Sequence, residues 1–586
     1  MTTKRILFLP YIDPFVWIYL FFTGQFRYHV WCFQSAYVPQ FLFKRIPIEQ
    51  MDVETYMSVG SDAVDFFNRL PSQMDGDSHL KIRGHKIPIW MFNLKERARF
   101  VTNIFHTMKV LQTLGDRKSN ANSFFYLNCP IENKNSLRIL TELFENRTGF
   151  VQRTSIFLEV IHPVFLQLIA VLIVIFEFLR HWKMHEHRFG VATNPRILYL
   201  DVTAADAHPD PLEHLSSAFL IDDRVIHKGD IVFVVPEKTT RAIWKRCGYN
   251  AVASITKLAG RPKVVDIFKL FWGRHLNHFS LIYPGSFNDP LNILCTLKAI
   301  ESGEVSSLLY SNSYFGSTPA AALPFMALSK PVTMMWYSAS MYDGHAFAHL
   351  VADQIIVWNK LMERFLTAHT QHKGTSLKSV GALMHSNDEC SVRRLSERKT
   401  DSKDYGPRII GVYAVQPKPL NIIRAARIAT NYDEVFYQRF MSDVGGLSTA
   451  FENVIVKSKA KRSTEIVSDL SMYDIQSEMA NKNPYKSIAE CKIVICMPFT
   501  SIYYAALQLG VPAIFYSPEN KIFSSLDELQ RLLIVGSDDL QTAVHNILNG
   551  LSEYPKLSSK TRALLVQTPL QSTTRLARQL IANHHF

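Results

Sequence analysis

No two of the seven cysteines, at 32, 129, 247, 295, 390, 491 and 496, stand at the two-residue spacing of zinc knuckles and redox motifs. Their number is odd. A disulfide framework is therefore not expected, and buried free thiols in a reducing cytoplasm are. Glycine (24) and proline (27) are too sparse for a collagen-like or low-complexity chain. Charged residues make up 20% against 47% hydrophobic, which excludes an intrinsically disordered protein. No GxGxxG follows an apolar run, no GxxxxGK leads into Ser or Thr, and HExxH and GxSxG are missing. Those gaps argue against a dinucleotide fingerprint, a P-loop, a zincin and a hydrolase nucleophile elbow. No dense Lys/Arg tract carries interleaved aromatics, so no nucleic acid partner is expected.

Long apolar runs are also scarce. Ile6–Phe22 is interrupted by Asp13 and two prolines, and no small-residue cleavage site is present. It reads as a buried strand over Ile6–Leu9 and then a packed or interfacial segment, not as a signal peptide. Val164–Leu179 (VFLQLIAVLIVIFEFL) is stronger. As a helix it reaches about 24 Å, short of a hydrocarbon core of about 30 Å. Arg180, His181, Trp182, Lys183, His185, His187 and Arg188 follow, a flank suited to headgroups. Three readings stay open: a membrane-associated helix near 156–182, a buried core helix, or a true span. Glu177, His181 and His185 would share a helical face at metal-like spacing, but no second ligand-bearing segment accompanies them.

The chain has 586 residues, enough for about three or four domains. Its balance is basic, with 64 Lys+Arg against 51 Asp+Glu and a net charge of +13. An anionic membrane surface or phosphorylated small molecules fit that balance, as does a mildly basic surface with no partner. Residues 1–190 show no clear organisation. After Gly190, short apolar runs alternate with helical patterns, the signature of parallel α/β sheets. One series has strands at Arg196–Val202, Ile231–Pro236, Phe279–Pro284, Ser307–Tyr310, Val332–Tyr337 and Gln354–Trp358, with a small-residue helix at Pro319–Leu328. His385–Gly406 is polar and charged and reads as a linker. A second series has strands at Arg408–Val415, Val454–Val456, Ile493–Cys496 and Ala513–Tyr516. Helices are predicted near Ala425–Met441, Gln476–Glu490, Ile502–Leu509, Ser537–Leu551 and Ser558–Ala582. The predicted division is thus 1–190, 191–384, a linker at 385–406, and 407–586. The fold class is α/β, with two Rossmann-like domains facing a cleft and an N-terminal extension carrying the apolar helix.

Ligands of such sheets bind beyond the carboxyl ends of the strands. The strand Ile493–Cys496 leads into Met497-Pro498-Phe499-Thr500-Ser501, and then a helix. Hydroxyls and free N–H groups at a helix start suit phosphate oxygens, although Thr500 and Ser501 could equally serve only as a cap. Glu519, after the next strand, could accept hydrogen bonds from ribose hydroxyls. Lys457 and Lys459 share a face just after Val454–Val456 and could meet a sugar-nucleotide phosphate, or simply form a solvated basic turn. The ends of these strands, at 456 and 496, are expected to be neighbours. Asp75-Gly76-Asp77 resembles a cation-holding triplet but sits in pure turn chemistry, so no metal is expected, nor any cofactor.

At Pro498-Phe499-Thr500-Ser501 the chain resembles the bacterial surface-carbohydrate (O-antigen and capsule) biosynthesis proteins that carry a C-terminal PFTS motif. Over Arg196–Phe586 its pattern resembles two-Rossmann (GT-B) glycosyltransferases. The resemblance implies a metal-independent glycosyltransferase whose C-terminal half binds a nucleotide sugar through Lys457, Lys459, Pro498, Thr500, Ser501 and Glu519. By analogy with enzymes that use CMP-linked acidic sugars, such a donor is implied here. The acceptor would be a glycan or glycolipid, with peripheral membrane contact. The place of action would be the cytoplasmic face of the inner membrane, or the cytoplasm. A general base is expected on the N-terminal side of the cleft, from Asp343, His345, Asp201 or His208. Related proteins often end a strand there in a Gln-His pair, which Asp343 and His345 would replace. A non-catalytic scaffold of a polysaccharide-assembly complex and a sugar-nucleotide epimerase are the alternatives.

Overall fold

Three parallel sheets, rather than two, organise the chain in the computed structural model. It describes residues falling within 6–45, 62–66, 79–88, 104–126, 134–179, 196–201, 225–266, 289–336, 352–381, 408–414, 434–458, 476–496, 502–517, 533–549 and 563–585. The first sheet lies within the region that showed no organisation in sequence. Its strands are β1 (Ile6–Ile12), β2 (His29–Ser35), β3 (Lys44–Arg45), β6 (Phe124–Phe125) and β7 (Val151–Gln152), in the order β3-β2-β1-β6-β7. A separate antiparallel hairpin joins β4 (His79–Ile82) and β5 (His85–Pro88). β1 is apolar throughout because both of its faces are covered. Phe8 packs with Phe125 and Phe144 on one side, while Leu7 and Leu9 pack with Val16, Leu20 and Tyr126 on the other. Helix α1 (Pro14–Phe22) follows β1 at once: Asp13 caps it, accepting the Val16 N–H at 2.8 Å, and Pro14 opens it. Helix α2 (Lys134–Thr148) precedes β7. The expected buried strand at Ile6–Leu9 is β1, but the sheet around it did not show in sequence because three of its strands are only two residues long, too short to show a period.

The second sheet comprises β8 (Ile197–Asp201), β9 (Ile231–Val234), β10 (Asn250–Val252), β11 (Ser307–Ser311), β12 (Val332–Met335), β13 (Gln354–Val357) and β14 (Ser376–Ser379). Their order is β10-β9-β8-β11-β12-β13-β14, all parallel. Helices α3 (Lys238–Arg246), α4 (Asp289–Glu301), α5 (Thr318–Ala327) and α6 (Lys360–His369) belong to the same stretch. The predicted strand Phe279–Pro284 and the predicted linker lie outside the described residues. Glu363 on α6 fastens the edge strand β14, accepting Ser379 Oγ at 2.6 Å, the Ser379 N–H at 3.1 Å and Lys360 Nζ. Burial alone would raise that carboxyl, but these donors outweigh it and hold it below the usual range.

The third sheet has β15 (Arg408–Ala414), β16 (Val454–Ser458), β17 (Gln476–Glu478), β18 (Cys491–Cys496), β19 (Ala513–Ser517) and β20 (Leu533–Val535), in the order β17-β16-β15-β18-β19-β20. Its helices are α7 (Glu434–Ala450), α8 (Pro484–Ala489), α9 (Ile502–Gln508), α10 (Ser537–Leu548) and α11 (Leu570–His585). Two predicted helices are corrected. The one expected to end at Met441 runs on through Gly445-Gly446, because buried Phe440, Val444 and Leu447 continue its inner face. That packing outweighs a glycine cost of about 1 kcal/mol each. The one expected over Gln476–Glu490 is a strand, β17, followed by α8, which opens on Pro484.

Helix α11 returns to the second sheet. Thr333 Oγ1 on β12 lies 2.9 Å from His584 Nδ1, 3.0 Å from His585 Nε2 and 3.2 Å from Gln354 Oε1. A hydroxyl has one proton and two lone pairs. Donation to Gln354 and acceptance from both imidazole N–H groups uses each once. His585 Nδ1 is then a buried nitrogen with no hydrogen-bond partner, and a second proton there would be stranded. Burial accordingly pushes His585 down to about 3, with neighbouring His584 adding to the effect.

The apolar stretch after β7 is not a core helix at its described positions. Residues 164, 165, 168, 172, 176 and 179 are helical and exposed. Among the described residues no helix is long and apolar enough to cross a membrane. Of the described cysteines, none is in a disulfide; 32, 295, 491 and 496 are buried as expected, but Cys247 is exposed.

Candidate functional site

Each sheet begins in its middle. The chain builds outward on one side of the first strand, then crosses to the other side. In the third sheet the reversal falls between β15 and β18. A crevice at the carboxyl ends of the two strands flanking such a reversal is where α/β sheets take ligands. β18 ends there at Cys496, and the next five residues are Met497 to Ser501. Helix α9 begins at Ile502, directly after them. Pro498, Thr500 and Ser501 themselves lie outside the described residues, as do Lys459 and Glu519. The strand before this segment and the helix after it are packed together. Val494 and Cys496 pack in one cluster with Tyr503, Tyr504, Ala505 and Ala506 of α9. The small Ala505 and Ala506 let the helix lie close on the sheet. With only seven residues, α9 offers a weak dipole, so anion binding here would fall to hydroxyls and loop N–H groups.

Register decides how Lys457 relates to this loop. One row across the sheet runs Glu478, Lys457, Tyr413, Cys496, Phe515 and Leu533. Lys457 and Cys496 therefore flank Tyr413 on opposite sides, about 10 Å apart. The expectation that the two strand ends would be neighbours is corrected: β15 stands between them. Parallel pairing puts the first-formed strand at the centre, and sequence order alone does not reveal that. Lys457 lies inside β16, one residue before its end.

The second sheet repeats the plan. Its reversal lies between β8 and β11, and register pairs their last residues, Asp201 with Ser311. Asp201 thus stands at the carboxyl end of a strand flanking the reversal. Asp343, His345 and His208 lie outside the described residues. Asp343 and His345 follow β12, one strand farther from the reversal.

Several groups near the third-sheet site are unsuited to chemistry. Burial drives the Cys496 thiol well above its usual range, with Cys491 adding to the rise, so it is no nucleophile. Tyr516, on β19, donates a hydrogen bond to Asp443 of α7 and packs edge-on against Phe440. Burial, and then that carboxylate, raise its hydroxyl. This contact pins α7 to the sheet, and no sequence signal pointed to it. Among the described residues no cluster of His, Cys, Asp or Glu could hold a metal ion.

Residues 292–544 match the family model described as "Polysaccharide biosynthesis PFTS motif protein". The matched region runs from within α4 to within α10 and contains Pro498–Ser501. No curated protein matches by sequence. Solved structures that resemble part of the chain include MurG of Acinetobacter baumannii, at 11% identity and a TM-score of 0.35, covering 66% of this chain and all of that one. The UDP-GlcNAc 2-epimerase of Neisseria meningitidis, bound to UDP-GlcNAc, gives 10% identity and 0.40, with the same coverage. Anabaena Alr3699/HepE in complex with UDP gives 9% identity and 0.39, again covering 66% of this chain and 100% of its own.

Proposed function

We propose that this chain, of which residues 292–544 match the model for PFTS-motif proteins of polysaccharide biosynthesis, is a glycosyltransferase. In this reading 191–384 and 407–586 form a GT-B-like pair joined by 385–406, with the donor held by the third sheet. One observation carries it: the PFTS loop leaves the strand end that flanks the third sheet's reversal. A loop with Thr500 and Ser501 offers hydroxyls to a phosphate, and Lys457 supplies a cation across β15.

For an inverting transfer, the acceptor hydroxyl attacks the anomeric carbon as the bond to phosphate oxygen breaks. The acceptor proton passes to a carboxylate, and the nucleotide leaves with its negative charge. Lys457, with Lys459, Thr500 and Ser501, would stabilise that charge. Asp201 is our preferred base, since register sets it at the second sheet's reversal. Asp343 and His345 are the alternatives, and Glu519 would meet the ribose. We further propose a CMP-linked acidic sugar as donor, a glycan or lipid-linked glycan as acceptor, no metal requirement, and action at the cytoplasmic face of the inner membrane.

Calorimetric titration of the full chain with CMP-, UDP- and GDP-sugars tests the reading. Binding of one donor class, with transfer only when acceptor is added, supports it. Conversion of the sugar without acceptor would identify an epimerase. Binding of none would leave a scaffold.

A further inference from the structure

Every large apolar side chain found exposed among the described residues lies between Phe15 and Leu179. They fall mainly on two elements. Helix α1 (PFVWIYLFF) has no polar face: Val16 and Leu20 point into the first core, while Phe15, Ile18, Phe21 and Phe22 are exposed, Phe22 to 82%. A nine-residue helix on a soluble surface would normally be polar on its outer side. The second element is the helical stretch after β7, where Leu168, Leu172, Phe176 and Leu179 recur at steps of four, four and three. That spacing puts them on one stripe.

The two elements are fastened together. Asp13, which caps α1, lies 2.6 Å from His162 Nε2, and both are buried. Tyr19 stacks on Phe157 with centroids 4.8 Å apart and planes at 2°, and its hydroxyl meets Ser155 Oγ at 2.8 Å. Phe15 stacks on Phe165 at 5.7 Å. Between them Phe157–Ile161 forms a π-helical turn, with the His162 N–H reaching the Phe157 carbonyl. The exposed rings therefore belong to one fixed surface and not to a loose tail.

We infer that this composite face, α1 together with the stretch from Ile156 to Leu179, docks the protein on an anionic lipid surface without crossing it. Three features select lipid over a protein partner. The exposed side chains of α1 offer no hydrogen-bonding group to set a partner's register. The bulk of the exposed side chains on the two elements, phenylalanine with isoleucine and leucine, suits insertion at the acyl boundary. The sequence charge around the first element has the complementary sign: residues 1–45 contain five Lys/Arg and one carboxylate, Asp13, which is buried against His162, while the stretch from Ile156 to Leu179 carries Glu159 and Glu177. Exposed Lys44 follows Phe41, itself 86% exposed, and Arg180 and Lys183 follow Leu179 in sequence. The inference does not depend on the glycosyltransferase reading.

Vesicle flotation of the full chain tests it, with phosphatidylcholine alone and with phosphatidylglycerol added. Wild type should float with the anionic vesicles, less with the zwitterionic ones, and less at high salt. Ile18→Ser with Phe22→Ser should lower partitioning roughly tenfold or more. Leu172→Ser with Phe176→Ser should do the same. All four residues are exposed, so an unchanged melting curve will show that folding is intact. Three results would overturn the proposal: wild type remaining with the solution, both double variants floating as well as wild type, or concentration-dependent dimers that the variants dissolve while vesicles capture nothing.

Discussion

In the first sheet, β1 runs into Asp13, and Asp13 is buried against His162. In the third, β18 runs into the PFTS loop. The strand orders match, since each sheet starts in the middle, grows one way and then reverses. At the first sheet's reversal, however, the place of a ligand is taken by the chain itself. Gln25 Nε2 donates to Tyr126 Oη at 2.9 Å, both being buried, and burial raises the Tyr126 hydroxyl. Leu158 and His162 fill the same region. Topology therefore sets where a crevice can form, and the side chains at the strand ends decide whether one does.

The largest effect expected from breaking this comparison is at Asp13. Asp13→Ala strands buried His162 and uncaps α1, costing about 3–5 kcal/mol. Calorimetry should show the first-sheet transition fall sharply, while nucleotide-sugar affinity holds. An unchanged melting profile would mean the first reversal is not closed by this pair. Next comes Lys457→Ala, which on the proposed reading should cost about 1.5–3 kcal/mol of donor binding through loss of a charge-assisted contact. Thr500→Ala or Ser501→Ala should cost about 0.5–1.5 kcal/mol each. If titration finds all three as tight as wild type, the third reversal holds no donor.

Acid should separate the regions further. His585 sits at about 3 when docked, against an ordinary 6.5. Between those values only the undocked form takes up the proton, so docking is at full strength above pH 6.5 and is lost progressively as pH falls toward 3. Burial lowers His584 as well, which works in the same direction, although Asp353 opposes it. Hydrogen exchange should therefore rise at α11 before it rises at α1 as pH drops. Equal responses would count against the role given to Thr333. The smallest effect is expected at Tyr516→Phe, which removes the hydrogen bond to Asp443 and should cost the third sheet about 1 kcal/mol by thermal melting.

Much of the second and third sheets was legible from residues. Buried parallel strands such as Ile493–Cys496 and Val332–Met335 read as apolar runs because both faces are covered. Strands such as Asn250–Val252 and Ser376–Ser379 were not legible, being short or half-exposed at sheet edges. Of the first sheet only β1 was legible, as the buried run Ile6–Leu9; β3, β6 and β7 were too short, and the exposed rings nearby obscured the division into core and surface. Of the candidate site, the strand that ends at Cys496 and the helix that begins at Ile502 were legible. That β15 separates Lys457 from Cys496 was not, because strand order is set by crossover connections far apart in sequence. Asp13 could have been suspected from a lone acid in an apolar run followed by proline, but its partner lies 149 residues away.

The hydrogen bond between Thr333 and His584 spans 251 residues of chain. During synthesis, β12 leaves the ribosome long before α11 exists. At roughly 5–20 residues per second, that interval is on the order of tens of seconds. Thr333 must spend it without its imidazole donors, with the whole third sheet still to be made. The second sheet is thus translated early and completed late, and during that wait the nascent chain presents a surface that a chaperone could cover.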